Sequence, residues 1–238
     1  MGAIFRREVR AYFTSPIGYI IIAAFFAYSG IMFSYYSLNS GYTKLDSLFG
    51  SLLTIIIVLI PILTMRTIAE EKRSRTDQCL LTAPVSLGSI VVGKFLAAFL
   101  IYAIAVSITA VMAVVVSYYG KPDWNVIVGN IAALLLVGGA YIAIGIFCSS
   151  FTENQVVAAV TSFIALIAAS FMTTIGDLIP QGHHFDWLIT AFEKVSFGER
   201  YYSFTYGVFD FSNVVFFISA IAAFLFLTVR VLEKRRWG

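Results

Sequence analysis

The sequence predicts an all-α polytopic membrane protein: six transmembrane helices, an N-terminal amphipathic interfacial helix, a cytosolic elbow and an external surface helix. Three observations carry this. The chain is 60% apolar and only 12% charged, against roughly 25% charged residues in ordinary soluble domains. Uncharged runs of membrane-spanning length recur from end to end. The basic residues gather in alternate connections between those runs. No segment has the mixed composition of a soluble domain, so residues 1–238 read as a single membrane unit.

Residues 3–15, AIFRREVRAYFTS, precede the first span. Phe5, Val9, Tyr12 and Phe13 recur at helical spacing, while Arg6, Arg7 and Arg10 fill much of the other face. This pattern fits a helix lying in the headgroup region with its arginines toward anionic lipid. Ser15-Pro16 then bends the chain, because the residue before proline avoids the helical region.

The six predicted spans are 17–38, 47–65, 95–119, 126–148, 155–176 and 212–230. Each is close to the 20 or so residues that a helix needs to cross a bilayer core of about 30 Å. Twelve of the 16 Lys and Arg fall on the side of the two termini: Arg6, Arg7, Arg10, Arg66, Lys72, Arg73, Arg75, Lys94, Arg230, Lys234, Arg235 and Arg236. The positive-inside rule therefore puts both termini and the 66–94 connection in the cytosol. No cleavable signal peptide is expected, since the apolar run after the basic N-terminus is of full membrane length. The cysteines Cys79 and Cys148 fall on the cytosolic side, where disulfides are rare, and lack a C-x-x-C spacing; they read as structural.

Residues 39–46 and 120–125 are short external turns, and 149–154, SSFTEN, make a tight cytosolic turn. The external segment 177–211 is longer. Helical spacing of Trp187, Leu188, Ala191, Phe192 and Val195 predicts a short helix on the outer membrane surface, followed by RYYSFTYGVFDF as part of the interfacial aromatic belt.

The spans bury no ionisable residue apart from Arg230 at the last boundary. That argues against ion- or proton-coupled carriers, channels and intramembrane hydrolases, which place such groups at membrane depth. Tyr28, Tyr35, Tyr36, Tyr102, Tyr141 and Asn130 read as helix-packing residues, and Gly138, Gly139, Ala140, Ala143 and Gly145 give the fourth span a small face for close helix approach. His183 and His184 beside Asp186 are read as an exposed loop pair rather than a metal site, since adjacent histidines do not share a helix face. No G-x-x-x-x-G-K-[ST] phosphate loop occurs, so the chain is not expected to be an enzyme and any ATP and Mg would be bound by a partner. No nucleic-acid partner is expected.

The 66–94 connection is the largest cytosolic interruption. Its first part, 67–82, reads as a helix supported by Glu71–Arg75 and Glu70–Arg73 pairs, each adding about 0.2–0.5 kcal/mol. Pro84 ends it, and Ser86 caps a second helix that runs through Ile90 and Lys94 into the third span. The result is an elbow with Leu80, Leu81, Val85 and Leu87 near its tip. Apolar residues there need a lipid surface or a protein groove.

The run EEKRSRTDQCLLTAPVSLGSIVVGKF resembles the signature of type-2 ABC transporter permeases, approximately E-E-x-x-x-G-T-x-E-x-L-L-x-x-P-[VI]-[ST] followed by a G-K pair. FRREVRAYFTSPIGYI is also similar to that family, especially its small gliding-motility and copper-maturation members. The resemblance implies a permease half in a bacterial plasma membrane, an exporter by expectation, that pairs with a second, identical or homologous half and two cytosolic ATPase subunits. It assigns Glu70, Glu71, Thr76, Leu80, Leu81 and Pro84 to the coupling element, with neighbouring Arg75 and Val85 joined to the candidate set; Arg6, Arg7, Arg10, Tyr12 and Phe13 are the membrane-interface candidates. Two positions depart from the pattern: Arg75 stands where the family has Gly, and Asp77-Gln78 blurs the following acid. The alternatives are a non-transporting permease that passes ATP-driven motion to an external partner through 177–211, and an ATP-independent channel.

Overall fold

The computed structural model describes residues 2–38, 45–76, 85–120, 123–172, 196–205 and 210–237. All regular structure among the described residues is helical. Helix α1 (Gly2–Thr14) is followed at once by α2 (Pro16–Phe33), which ends in a π-helical turn, Ser34–Leu38. Ser15 makes this sharp join. It is extended, its hydroxyl accepts from the Ile17 amide, and Pro16 fills the first helical turn, where a missing N–H costs nothing.

Helix α3 (Asp46–Thr64) passes through a turn at 65–68 into the short α4 (Ala69–Arg73). The long α5 (Leu87–Tyr119) opens on Ser86, whose side chain accepts from the Ser89 amide as the sequence predicts. Helices α6 (Trp124–Ser149), α7 (Gln155–Ser170), α8 (Phe197–Thr205) and α9 (Phe211–Trp237) complete the order.

Five helical segments are long and apolar enough to cross a membrane: Pro16–Ser37, Ser47–Arg73, Leu87–Tyr118, Trp124–Ser149 and Phe211–Arg235. The predicted span 155–176 differs. Its described helix, Gln155–Ser170, has 16 residues, about 24 Å at 1.5 Å per residue, and gives way at Phe171.

The centre of the bundle is α6. Val137, Ala140, Tyr141, Ile142, Ala143 and Ile146 are all fully buried. Its small face works as the sequence predicts. A Cβ on Gly138 would stand 2.2 Å from the Tyr102 ring, and one on Gly145 would stand 2.2 Å from Thr64 Oγ1. Those glycines therefore let α5 and α3 approach the α6 backbone closely. The polar handles serve packing too: Tyr28 donates to the Ser51 carbonyl (3.2 Å), Tyr102 to the Leu134 carbonyl (2.6 Å), and Tyr141 and Ser170 share a 2.6 Å bond.

Tyr201 and Phe204 correct the expectation of an interfacial aromatic belt over 200–211, in which Tyr202 and Phe211 are exposed. Tyr201 and Phe204 are buried, and Tyr201 donates to the Phe49 carbonyl at 2.8 Å. Phe197 meets Tyr141, more than halfway along α6, with ring centroids 5.8 Å apart. The Arg200 guanidinium lies 4.1 Å over the Phe216 ring and bonds Asn213 at 2.8 Å. Helix α8 thus dips into the bundle between α3, α6, α7 and α9. Aromatic rings bury there more area than they would at a headgroup surface. The predicted surface helix around Trp187–Val195, with His183 and His184, lies outside the described residues.

Candidate functional site: an ion-paired elbow at one face of the bundle

Long-range polar contacts gather α1, α4, the 149–154 turn and the end of α9 at one face. Arg235 pairs with Glu153 at 3.4 Å, Lys72 Nζ donates to the Ser150 carbonyl, and Arg7 reaches Glu71 at 2.8 Å. At this face α3 ends and α5 begins.

Lys94 lies at the centre of that face. It sits in the third turn of α5, and its side chain is 2% exposed. An ammonium has three N–H donors, and all three are used: Thr67 carbonyl at 2.8 Å, Glu71 Oε1 at 2.9 Å and Glu8 Oε1 at 3.3 Å. Arg7 closes the cluster through Glu8 (2.6 Å) and Glu71 (2.8 Å). Burial alone would lower the Arg7 pKa, but its bonds to the two carboxylates hold it above its ordinary value. Removing one partner from such a cluster costs about 3–5 kcal/mol, because a buried charge is left uncompensated.

The start of α4 is held by another element. A helix leaves its first N–H groups without intrahelical acceptors. Here Ser149 Oγ, at the end of α6, accepts from the Ile68 amide (3.3 Å) and the Ala69 amide (3.1 Å) and donates to the Met65 carbonyl (3.2 Å). One hydroxyl therefore fixes the joint between α3 and α4.

The far end of α4 corrects the expected helix 67–82. The helix stops at Arg73, and Arg75 has φ 56°, in the left-handed region. The Thr76 amide donates to the Glu71 carbonyl (3.0 Å) and the Arg75 amide to the Lys72 carbonyl (3.2 Å). This is a Schellman C-cap with Arg75 at the position glycine usually fills. The predicted Glu71–Arg75 and Glu70–Arg73 pairs give way to other partners. Glu71 turns to Arg7 and Lys94, and Glu70 takes both Arg66 Nε and Nη2 at 2.5 Å. A buried ammonium and a two-bond guanidinium outcompete exposed pairs worth a few tenths of a kcal/mol.

A family model for ABC-2 family transporter proteins matches residues 3–237. The chain belongs to this family. A comparison with curated proteins finds no significant match. Membership makes this ABC-2 transporter protein a membrane permease subunit, of a kind that generally works with separate ABC ATPase subunits.

In this ABC-2 protein the candidate residues divide by position. Glu70 and Glu71 are tied to the bundle. Arg75 and Thr76 are exposed on the turn beyond α4, together with Arg73 and Ser74. Val85 is partly buried and Leu87 buried against the hydrophobic core, so neither forms an apolar tip. Leu80, Leu81 and Pro84 lie outside the described residues, as does Cys79. In α1, Arg6 and Arg10 are exposed. Tyr12 and Phe13 pack on the core, and Tyr12 donates to the Leu63 carbonyl at 3.1 Å. Burial pushes the Tyr12 phenol up to about 12. Among the described residues no group of His, Cys, Asp and Glu could hold a metal ion.

Sequence reasoning missed Glu8, Lys72 and Lys94 as members of this site; the resemblance gave 149–154 only as a minor second contact, without the role of Ser149 at the α3–α4 joint. The usable signal for Glu8 was its spacing of four from both Ile4 and Tyr12, which puts an acid on the inward stripe of α1. For Lys94 it was a lone cation at the start of a long apolar run.

Proposed function

We propose that the chain is the permease half of an ABC exporter in a bacterial plasma membrane, with both termini and the elbow in the cytosol, where partner ATPases bind ATP and Mg. The observation that carries this reading is the two-sidedness of α4. Its inner side is clasped to three elements through Lys94, Lys72 and Ser149. Its outer end leaves Arg73, Ser74, Arg75 and Thr76 exposed and leads into residues 77–84. A rigid lever with an exposed polar end transmits a push from a docked partner into α1, α5 and α6. Differential contact with the open and closed ATPase states then biases the arrangement of the spans.

A second permease half, identical or homologous, would complete the translocation path. The sparse burial of α9, with Val215, Ile218, Phe226 and Leu227 exposed, leaves apolar surface for lipid and for such a half. The reading in which 177–211 recruits an external partner gains nothing from Phe197, Tyr201 and Phe204, which are turned into the bundle.

The test reverses charge at the exposed end while sparing the clasp. Arg73→Glu with Arg75→Glu is expected to reduce ATPase co-purification at least tenfold, with thermal stability of the isolated permease unchanged. Full ATPase recovery with the double variant overturns the docking assignment.

A further inference from the structure

Helix α1 carries three arginines and one glutamate, and the clasp uses only part of that charge. Glu8 is spent on Lys94 and Arg7, and Arg7 also reaches Glu71. Arg6 and Arg10, one turn apart, are exposed and make no ion pair among the described residues. Beside them on the helix surface stand Phe5 and Val9, half-buried and outside the core that takes Ile4, Tyr12 and Phe13. The Arg66–Glu70 pair borders α1 at Ala11, on the other edge of the helix, so Glu70 does not face these two arginines. Tyr19, in the first turn of α2, sets the depth. Its ring is 57% exposed and meets Phe13 at 5.8 Å, at the start of a helix of membrane length. A tyrosine so placed belongs at headgroup level, and α1 adjoins it there.

We infer that Arg6 and Arg10 bind anionic phospholipid headgroups of the leaflet on the elbow's side, and that this contact steadies the elbow through the clasp. Uncovered apolar side chains next to unpaired cations favour a bilayer over a protein surface, because a bilayer offers phosphate and hydrocarbon side by side. The link to the elbow is short. Arg7 and Glu8 share a helical turn with Arg6 and Arg10. Lifting α1 would break the Arg7–Glu71 and Glu8–Lys94 bonds together, along with the packing of Ile4 on Gly93, where an added Cβ would stand 3.1 Å away. Whatever holds α1 down therefore favours the closed clasp, and by reciprocity the closed clasp favours the lipid contact. Each arginine near an anionic surface is worth about fivefold in binding, so the pair supplies about thirtyfold.

The experiment places purified full-length protein in nanodiscs of phosphatidylcholine alone or with about 30% phosphatidylglycerol, which gives the leaflet a negative surface potential. Amide hydrogen exchange is followed over 3–14 and 69–76. Phosphatidylglycerol is expected to slow exchange about five- to thirtyfold over α1 and about two- to fivefold over 69–76. Arg6→Gln with Arg10→Gln should remove both effects and match the native chain in phosphatidylcholine alone. Arg6→Lys with Arg10→Lys keeps the charge and should keep both effects. No response of the native chain to phosphatidylglycerol overturns the proposal and leaves the two arginines to a protein partner. A full response in the glutamine variant places the lipid elsewhere, and protection confined to α1 removes the link to the elbow; either result overturns it. So does an equal response to soluble glycerol phosphate in phosphatidylcholine discs, which would make the site one for a free anion.

Discussion

Replacing Arg75 by glycine should strengthen the elbow. An L-residue in the left-handed region is disfavoured by roughly 1–2 kcal/mol, and Arg75 sits there with φ 56°. Glycine removes that term but loses more backbone entropy on ordering, by roughly 0.5–1 kcal/mol. A net gain of about 0.5–1 kcal/mol is left for the cap. The cap is reported by the Thr76 amide, which reaches back to the Glu71 carbonyl at 3.0 Å. Amide hydrogen exchange over 70–76, corrected for intrinsic rates, should therefore slow about two- to fivefold in Arg75→Gly if local opening governs exchange. Arg75→Ala removes the same charge but keeps the Cβ, so its exchange should match the native chain. The contrast between the two variants isolates backbone geometry from electrostatics. If alanine protects the cap as well as glycine does, repulsion among Lys72, Arg73 and Arg75 was the destabilising factor and the conformational argument fails.

Other expectations follow from the same contacts. A double-mutant cycle between Lys94→Met and Glu71→Gln, read by thermal unfolding of the purified protein, should give a coupling energy of about 1–3 kcal/mol; strict additivity would show that the 2.9 Å pair contributes nothing. Tyr12→Phe should cost about 0.5–1.5 kcal/mol through loss of its bond to the Leu63 carbonyl. The same variant tests a pH effect. A phenol raised to about 12 by burial keeps its proton when the unfolded chain has lost it, so stability falls as pH climbs from about 10 toward 12. Tyr12→Phe should make that alkaline loss shallower. Gly145→Ala, whose Cβ would press within 2.2 Å of Thr64 Oγ1, should destabilise by about 1–3 kcal/mol. Thr64→Ala in the same chain should restore part of it.

What the sequence made legible was set by strong, local patterns. The long apolar runs, the Ser15-Pro16 join and the Ser86 cap depend on neighbours a few residues apart, and the structure has them where those patterns indicate. The glycine face of α6 was legible because small side chains in a membrane helix are useful chiefly for close approach. The elbow was read as too long a helix because local pairing favoured 67–82. Its end is decided instead by partners far along the chain, Lys94 and Arg7, which take Glu71 away from Arg75. The burial of Tyr201 and Phe204 was hidden for a related reason: tyrosine and phenylalanine suit a headgroup belt and a bundle core equally, and only tertiary packing separates the two. Glycine in the family pattern at position 75 was the clue to a left-handed turn, visible in the sequence as a departure and intelligible only with the backbone angle.

The clasp around Lys94 also sets an order of events during synthesis. Its two partners on α1 and α4 leave the ribosome earlier, Glu8 by 86 residues, or roughly 4–17 s at ordinary elongation rates of about 5–20 residues per second. Throughout that interval Glu8 has its exposed neighbour Arg7 as a counter-charge but lacks the buried ammonium that ties it to α4. Contacts of α1 with α3, such as Tyr12 to the Leu63 carbonyl, can form earlier, but the clasp to α4 is completed only when α5 emerges. A nascent chain arrested before Lys94 is therefore one in which the clasp remains open, and one released beyond α5 has it closed.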